Sequence, residues 1–185
     1  MTLPVDVIAL MQRYDAEIAR LQDLRLPPYG KGYLEAVQAR QQEVSQQRAE
    51  EKRLWQQIDA TLLPVLLAAY RRGGDAERAA IRDLLKQCRK LAWGLGWAHR
   101  DQPPDRKAPL DAETLQRRLL LLAMKDGLVD WRDEIVALDE LCGRAQRSGL
   151  DTGALLHEAA GLASDQPRGS RASLRAVLSE RANRL

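Results

Sequence analysis

Six residues in a row, Leu119, Leu120, Leu121, Leu122, Ala123 and Met124, are apolar without a break. A helix that is greasy on every side has to be covered on every side. This run therefore demands helical neighbours all round. Asp111 supplies a side-chain acceptor for a free N–H at its start, and Gly127 a residue that turns left-handed at its end without a Cβ clash. Asp130 and Asp133 then open a second helix, where carboxylates meet the positive end of the dipole. Trp131, Ile135, Leu138, Cys142 and Ala145 follow at spacings of four, three, four and three, one face of an amphipathic helix. Gly149 ends it, and Asp151 or Thr152 caps a third helix with Leu155, Leu156, Ala159, Ala160 and Ala163 inward. Short glycine-containing turns force the three into an antiparallel stack.

The rest of the chain reads as helix as well. It has no Phe, and Ala, Leu, Arg, Gln and Glu, all strong helix formers, dominate. Thr2 is the expected N-cap of a first helix, with Pro4 in its first turn. Val7, Met11, Tyr14, Ile18 and Leu21 form a heptad-like seam along it. After the turn-forming LRLPPYGKGY, a second helix is predicted from about Tyr33 to Ala60, with Leu34, Val37 and Val44 toward the first. Its middle, Gln38 to Arg53, is almost wholly polar, which suits a solvated strut; a polar seam is also compatible with a homodimer through this hairpin. Pro64 is expected to kink or restart the helix near Thr61. Leu62 to Ala69 make a second greasy run closed by Gly73-Gly74. Asp75 caps a helix with Ile81, Leu84, Leu85, Cys88 and Leu91 inward and Arg78, Arg82, Lys86, Arg89 and Lys90 outward. Trp93 and Trp97 flank a fraying Gly-Leu-Gly, and a last helix begins near Ser170.

The prediction is an all-α chain: an N-terminal antiparallel, coiled-coil-like helical hairpin (1–60) leading into a HEAT-like bundle of about five to six further helices. A first helix pair spans 61–98, a proline-rich linker 99–110, and a C-terminal helical bundle 111–185. Two greasy helices, each followed by a capped amphipathic one, repeat a single idea.

Charge is unevenly spread. Residues 71–107 hold ten Lys/Arg against five Asp/Glu, whereas residues 111–164 hold six against ten. A basic tail follows. No apolar run is long enough to span a bilayer and the N-terminus lacks the pattern of a signal peptide, so a cytoplasmic protein without membrane contact is expected. Cys88 and Cys142 read as buried reduced thiols.

Most catalytic chemistry finds no footing. His157-Glu158-Ala159-Ala160-Gly161 starts like a zincin motif but has Gly161 where the second histidine belongs. His99 falls in the linker, so no metal site or cofactor is expected, and no nucleophile elbow or phosphate loop exists. Acidic residues around Trp131 lie opposite its apolar face and read as solvated rather than catalytic. An interaction protein is what remains. Its candidate partner surface, for another protein, is Asp130, Trp131, Asp133, Glu134 and Glu140. The Tyr29–Tyr33 glycine loop is a further exposed feature. The alternative is nucleic-acid binding through Arg82, Lys86, Arg89, Lys90 and the arginine tail.

The segment Asp130–Ser164, through D-W-R-D at Asp130–Asp133 and G-L-D at Gly149–Asp151, resembles small bacterial helical proteins of HEAT-like type, some of them immunity-like. The resemblance implies a helical stack without catalytic residues. In an immunity-like role, the acidic face would meet a basic toxin domain.

Overall fold

A computed structural model describes residues 3–22, 30, 32–96, 111–128, 139–140, 142–166 and 172–184. These are mostly helical and include no β-strand. The helices are α1 (Val5–Gln22), α2 (Tyr33–Ala39), α3 (Gln41–Arg72), α4 (Asp75–Gln87), α5 (Arg89–Gly94), α6 (Ala112–Met124), α7 (Thr152–Leu162) and α8 (Leu174–Asn183). Residues 139–140 and 142–147 are helical too. Thr2, Tyr29, Trp97, His99, the 99–110 linker and the expected start near Ser170 lie outside the described residues, as do Asp130, Trp131, Asp133 and Glu134.

The α1 seam is real: Met11, Tyr14, Ile18 and Leu21 are buried, against both α3 and α5. Leu34, by contrast, is 73% exposed. The predicted helix from Tyr33 to Ala60 is two helices. Arg40 (φ −105°, ψ 9°) separates α2 from α3. The interruption is slight, because the Arg40 N–H still donates to Ala36 O and the Val44 N–H to Arg40 O.

At Pro64 the expected restart does not occur. The helix α3 runs from Gln41 to Arg72, about 48 Å at 1.5 Å per residue. Proline deprives the Ala60 carbonyl of its donor. Both Ala60 and Pro64 are exposed, which leaves that carbonyl open to water, and the helix continues on either side. The inner face of α3, with Ile58, Leu62, Leu63, Leu66 and Tyr70, joins Leu115, Leu119, Ala123 and Met124 of α6 in one core. Both cysteines are buried and unpaired with each other.

Side-chain caps set three of the helix starts. Asp111 accepts from the Thr114 N–H at 2.6 Å, a bond that holds its carboxyl below the usual carboxylate range. Asp151, not Thr152, caps α7 through the Ala154 N–H at 3.0 Å, and Ser173 caps α8 through the Ala176 N–H. At α4 the expectation fails: Asp75 is the first helical residue and pairs with Arg78, while the Glu77 carboxylate accepts from the Gly74 N–H at 2.9 Å. Gly74 has no side chain to cap with, so a carboxylate one turn ahead reaches back to it.

The predicted long basic helix is broken at Cys88 (φ −97°, ψ 65°), giving α4 and α5. The break exposes backbone donors at the start of α5. Asp15, on α1, accepts one of them, the Leu91 N–H, at 2.7 Å. A carboxylate from another helix thus does the work of a cap.

Candidate functional site

Two polar centres stand out, one buried and one open. The buried one is Tyr70, 0% exposed, near the end of α3. Its hydroxyl receives a bond from Arg82 Nη1 at 2.7 Å and lies 2.8 Å from Leu162 O and 3.1 Å from Ala123 O. Burial pushes the phenol above its ordinary pKa, and the Arg82 guanidinium works against that rise. Arg78 Nε donates to Tyr70 O at 3.1 Å. One side chain therefore ties α3, α4, α6 and α7 together. A buried, fully engaged phenol of this kind specifies packing rather than reactivity.

This centre consumes part of the basic surface read from sequence. Arg82 is half-buried on Tyr70, and Lys86 is held at 2.7 Å by Asp83, whose carboxyl it keeps below the usual range. The tail is similarly occupied. Arg175 donates twice to Ala163 O at 3.2 and 3.0 Å, Arg181 grips Asp139 with a fork of 2.7 and 3.1 Å, and Arg184 pairs with Glu180. Of the expected acidic face only Glu140 lies among the described residues, and it is exposed. His157 is exposed, and no cluster of metal-ligating side chains exists among the described residues.

Arg89 and Lys90 belong to the open centre. On α5 they face Arg48 and Lys52 of α3 across a groove of about 850 Å³. On α3 the spacing 48, 52, 55 sets Arg48, Lys52 and Trp55 in one stripe, one turn apart. Trp55 is 3% exposed and forms the floor, its indole N–H directed at Glu51 Oε1 (3.4 Å), which also receives Gln22 Nε2 at 2.8 Å. Gly94 lets α5 lie directly on that indole: a Cβ there would sit 2.1 Å from Trp55 Cζ2. Trp93, one residue earlier, is 74% exposed on the rim.

Among the described residues, four cations thus meet a single carboxylate in the groove, and that carboxylate already accepts two hydrogen bonds. Among the described residues none of the four cations is ion-paired. The arrangement supplies positive charge, planar guanidinium donors and an aromatic face.

Sequence reasoning reached Arg89 and Lys90 but missed Arg48, Lys52 and Trp93. The i, i+4, i+7 stripe on the strut was the available signal. The turn of α5 that brings its counterpart opposite was not. Neither family models, nor curated proteins, nor solved structures match this chain.

Proposed function

We propose that the chain is a non-enzymatic binding protein that captures an anionic macromolecular partner in the groove between α3 and α5. The observation behind this reading is the convergence of Arg48, Lys52, Arg89 and Lys90, all exposed and none ion-paired among the described residues, beside the exposed indole of Trp93. Elsewhere on the described surface Arg71, Lys86, Arg117, Arg181 and Arg184 are each paired with a neighbouring carboxylate. Unpaired like charges held together raise the local potential and draw a polyanion to the site. We further read the fold as the hairpin-plus-HEAT-like arrangement, with α1 folded back along the strut. The Gln22–Glu51 bond and the packing of α7 on α6 and α8 support that layout.

Immobilised heparin tests the charge reading. The wild-type chain is retained at low salt, and the Lys52→Glu, Lys90→Glu double variant elutes much earlier. Both positions are exposed, so folding is unaffected beyond about 0.5 kcal/mol each. Co-elution of variant and wild type refutes the groove as the anion site.

A further inference from the structure

Resting on that reading of the groove, we propose that its ligand is a single-stranded nucleic acid. The phosphates run between Arg48 and Lys52 on one wall and Arg89 and Lys90 on the other, and a base stacks on Trp93. Three features favour this occupant over other anions. The first is the indole itself. A large aromatic side chain left 74% exposed on the rim of a cationic groove is a stacking platform, and every base has a π-face to offer it. An acidic peptide would neutralise the cations and leave that face unused.

The second is shape. The cations line a concave cleft whose floor is the buried Trp55. Reading a duplex requires an element that projects into a groove about 12 Å wide, and here α5 lies flat against Trp55 because Gly94 has no Cβ. A single strand can lay both its phosphates and an unpaired base into such a cleft, whereas a duplex would meet it through phosphates alone.

The third is the register of charge. Arg48 and Lys52 lie about 6 Å apart along the axis of α3, and Arg89 and Lys90 are adjacent on α5, so positive charge follows the groove on both sides. The pattern matches a backbone-tracking channel with an aromatic side chain at its edge, which binds with little sequence preference.

The test is a titration of the full chain with a labelled oligothymidylate of about 12 nucleotides, followed by fluorescence anisotropy and by quenching of the protein's tryptophan emission. Heparin, polyglutamate and a duplex of the same length are run in parallel. The expected result is oligothymidylate binding with tryptophan quenching and a log K against log[salt] slope of about −2.8, from four phosphate contacts at 0.7 each. Trp93→Ala weakens oligothymidylate binding by about 5- to 150-fold and leaves heparin binding unchanged; Trp93→Phe restores much of the loss. Circular dichroism of both variants matches wild type, since the side chain is largely solvent-facing.

If the chain binds heparin but not the oligonucleotide, or if Trp93→Ala binds the oligonucleotide as wild type does, the single-strand proposal falls and the anion groove stands. If the duplex or polyglutamate binds as tightly as the single strand, the proposal falls as well. If none of the polyanions binds, both readings fall.

Discussion

Replacing Tyr70 with Phe removes one oxygen atom and nothing else from the core, which makes it the sharpest probe of how the helices are tied together. The hydroxyl is one donor and receives one charged donor. Its proton satisfies Leu162 O at 2.8 Å or Ala123 O at 3.1 Å, and Arg82 Nη1 reaches it at 2.7 Å. Losing the carbonyl bond costs about 1 kcal/mol net, and a hydrogen bond to a charged group is worth about 1.5–3 kcal/mol. Arg82 is half-buried and recovers part of its loss by turning to water. The buried carbonyl has no such recourse. The total is about 3 kcal/mol, and for a chain of this length Tm falls by about 6–12 °C. Urea denaturation followed by circular dichroism measures it, and the m-value stays constant because the surface exposed on unfolding is the same. Adding Arg82→Met to Tyr70→Phe should cost less than the sum of the single changes, because both break the same bond. A loss below about 0.5 kcal/mol, or strict additivity, would refute the view that this hydroxyl fastens four helices.

Two further perturbations follow from the packing. Gly94→Ala forces a methyl to within 2.1 Å of the Trp55 ring, so α5 must lift or the buried indole must move; a loss of about 1–3 kcal/mol in urea denaturation is expected, together with weaker heparin retention as the groove wall shifts. Wild-type stability in that variant would contradict the close approach. Cys142 gives a pH signature: burial, with Asp139 adding to it, lifts its thiol from 9.0 to about 11. The folded chain therefore holds a proton that the unfolded chain releases. Stability from this group is complete below pH 9 and is lost as pH rises toward 11, at up to about 1.4 kcal/mol per pH unit. Cys142→Ala should flatten the alkaline limb of urea midpoint against pH, and an unchanged limb would assign the effect elsewhere.

What the sequence disclosed and what it withheld divide by distance along the chain. The seam of α1 and the caps at Asp111 and Asp151 were legible because periodicity and capping act within a turn or two. The break at Cys88 was not, since the acceptor for the Leu91 N–H comes from Asp15, 76 residues away. Nothing near Tyr70 in the sequence marks its role, because its carbonyl partners lie 53 and 92 positions further on. Charge misled in a similar way. Outward-pointing Arg82 and Lys86 look alike in sequence to Arg89 and Lys90, but only the fold reveals which pair is spent on a phenol and a carboxylate. Trp55 and Trp93 are chemically identical, yet the first is buried with Gly94 lying on its ring and the second is exposed on the rim.

The Asp15 cap has a consequence for the groove. Six residues are far too few to sustain a helix in water, so α5 keeps its shape on credit from α1. Two of the four cations and the exposed indole ride on that borrowed turn. The N-terminal helix, packed against α5 and bonded to it through Asp15, governs whether they point into the groove at all. A truncation that removes it would uncover the side of α3 on which it packs and leave the opposite bank without a course.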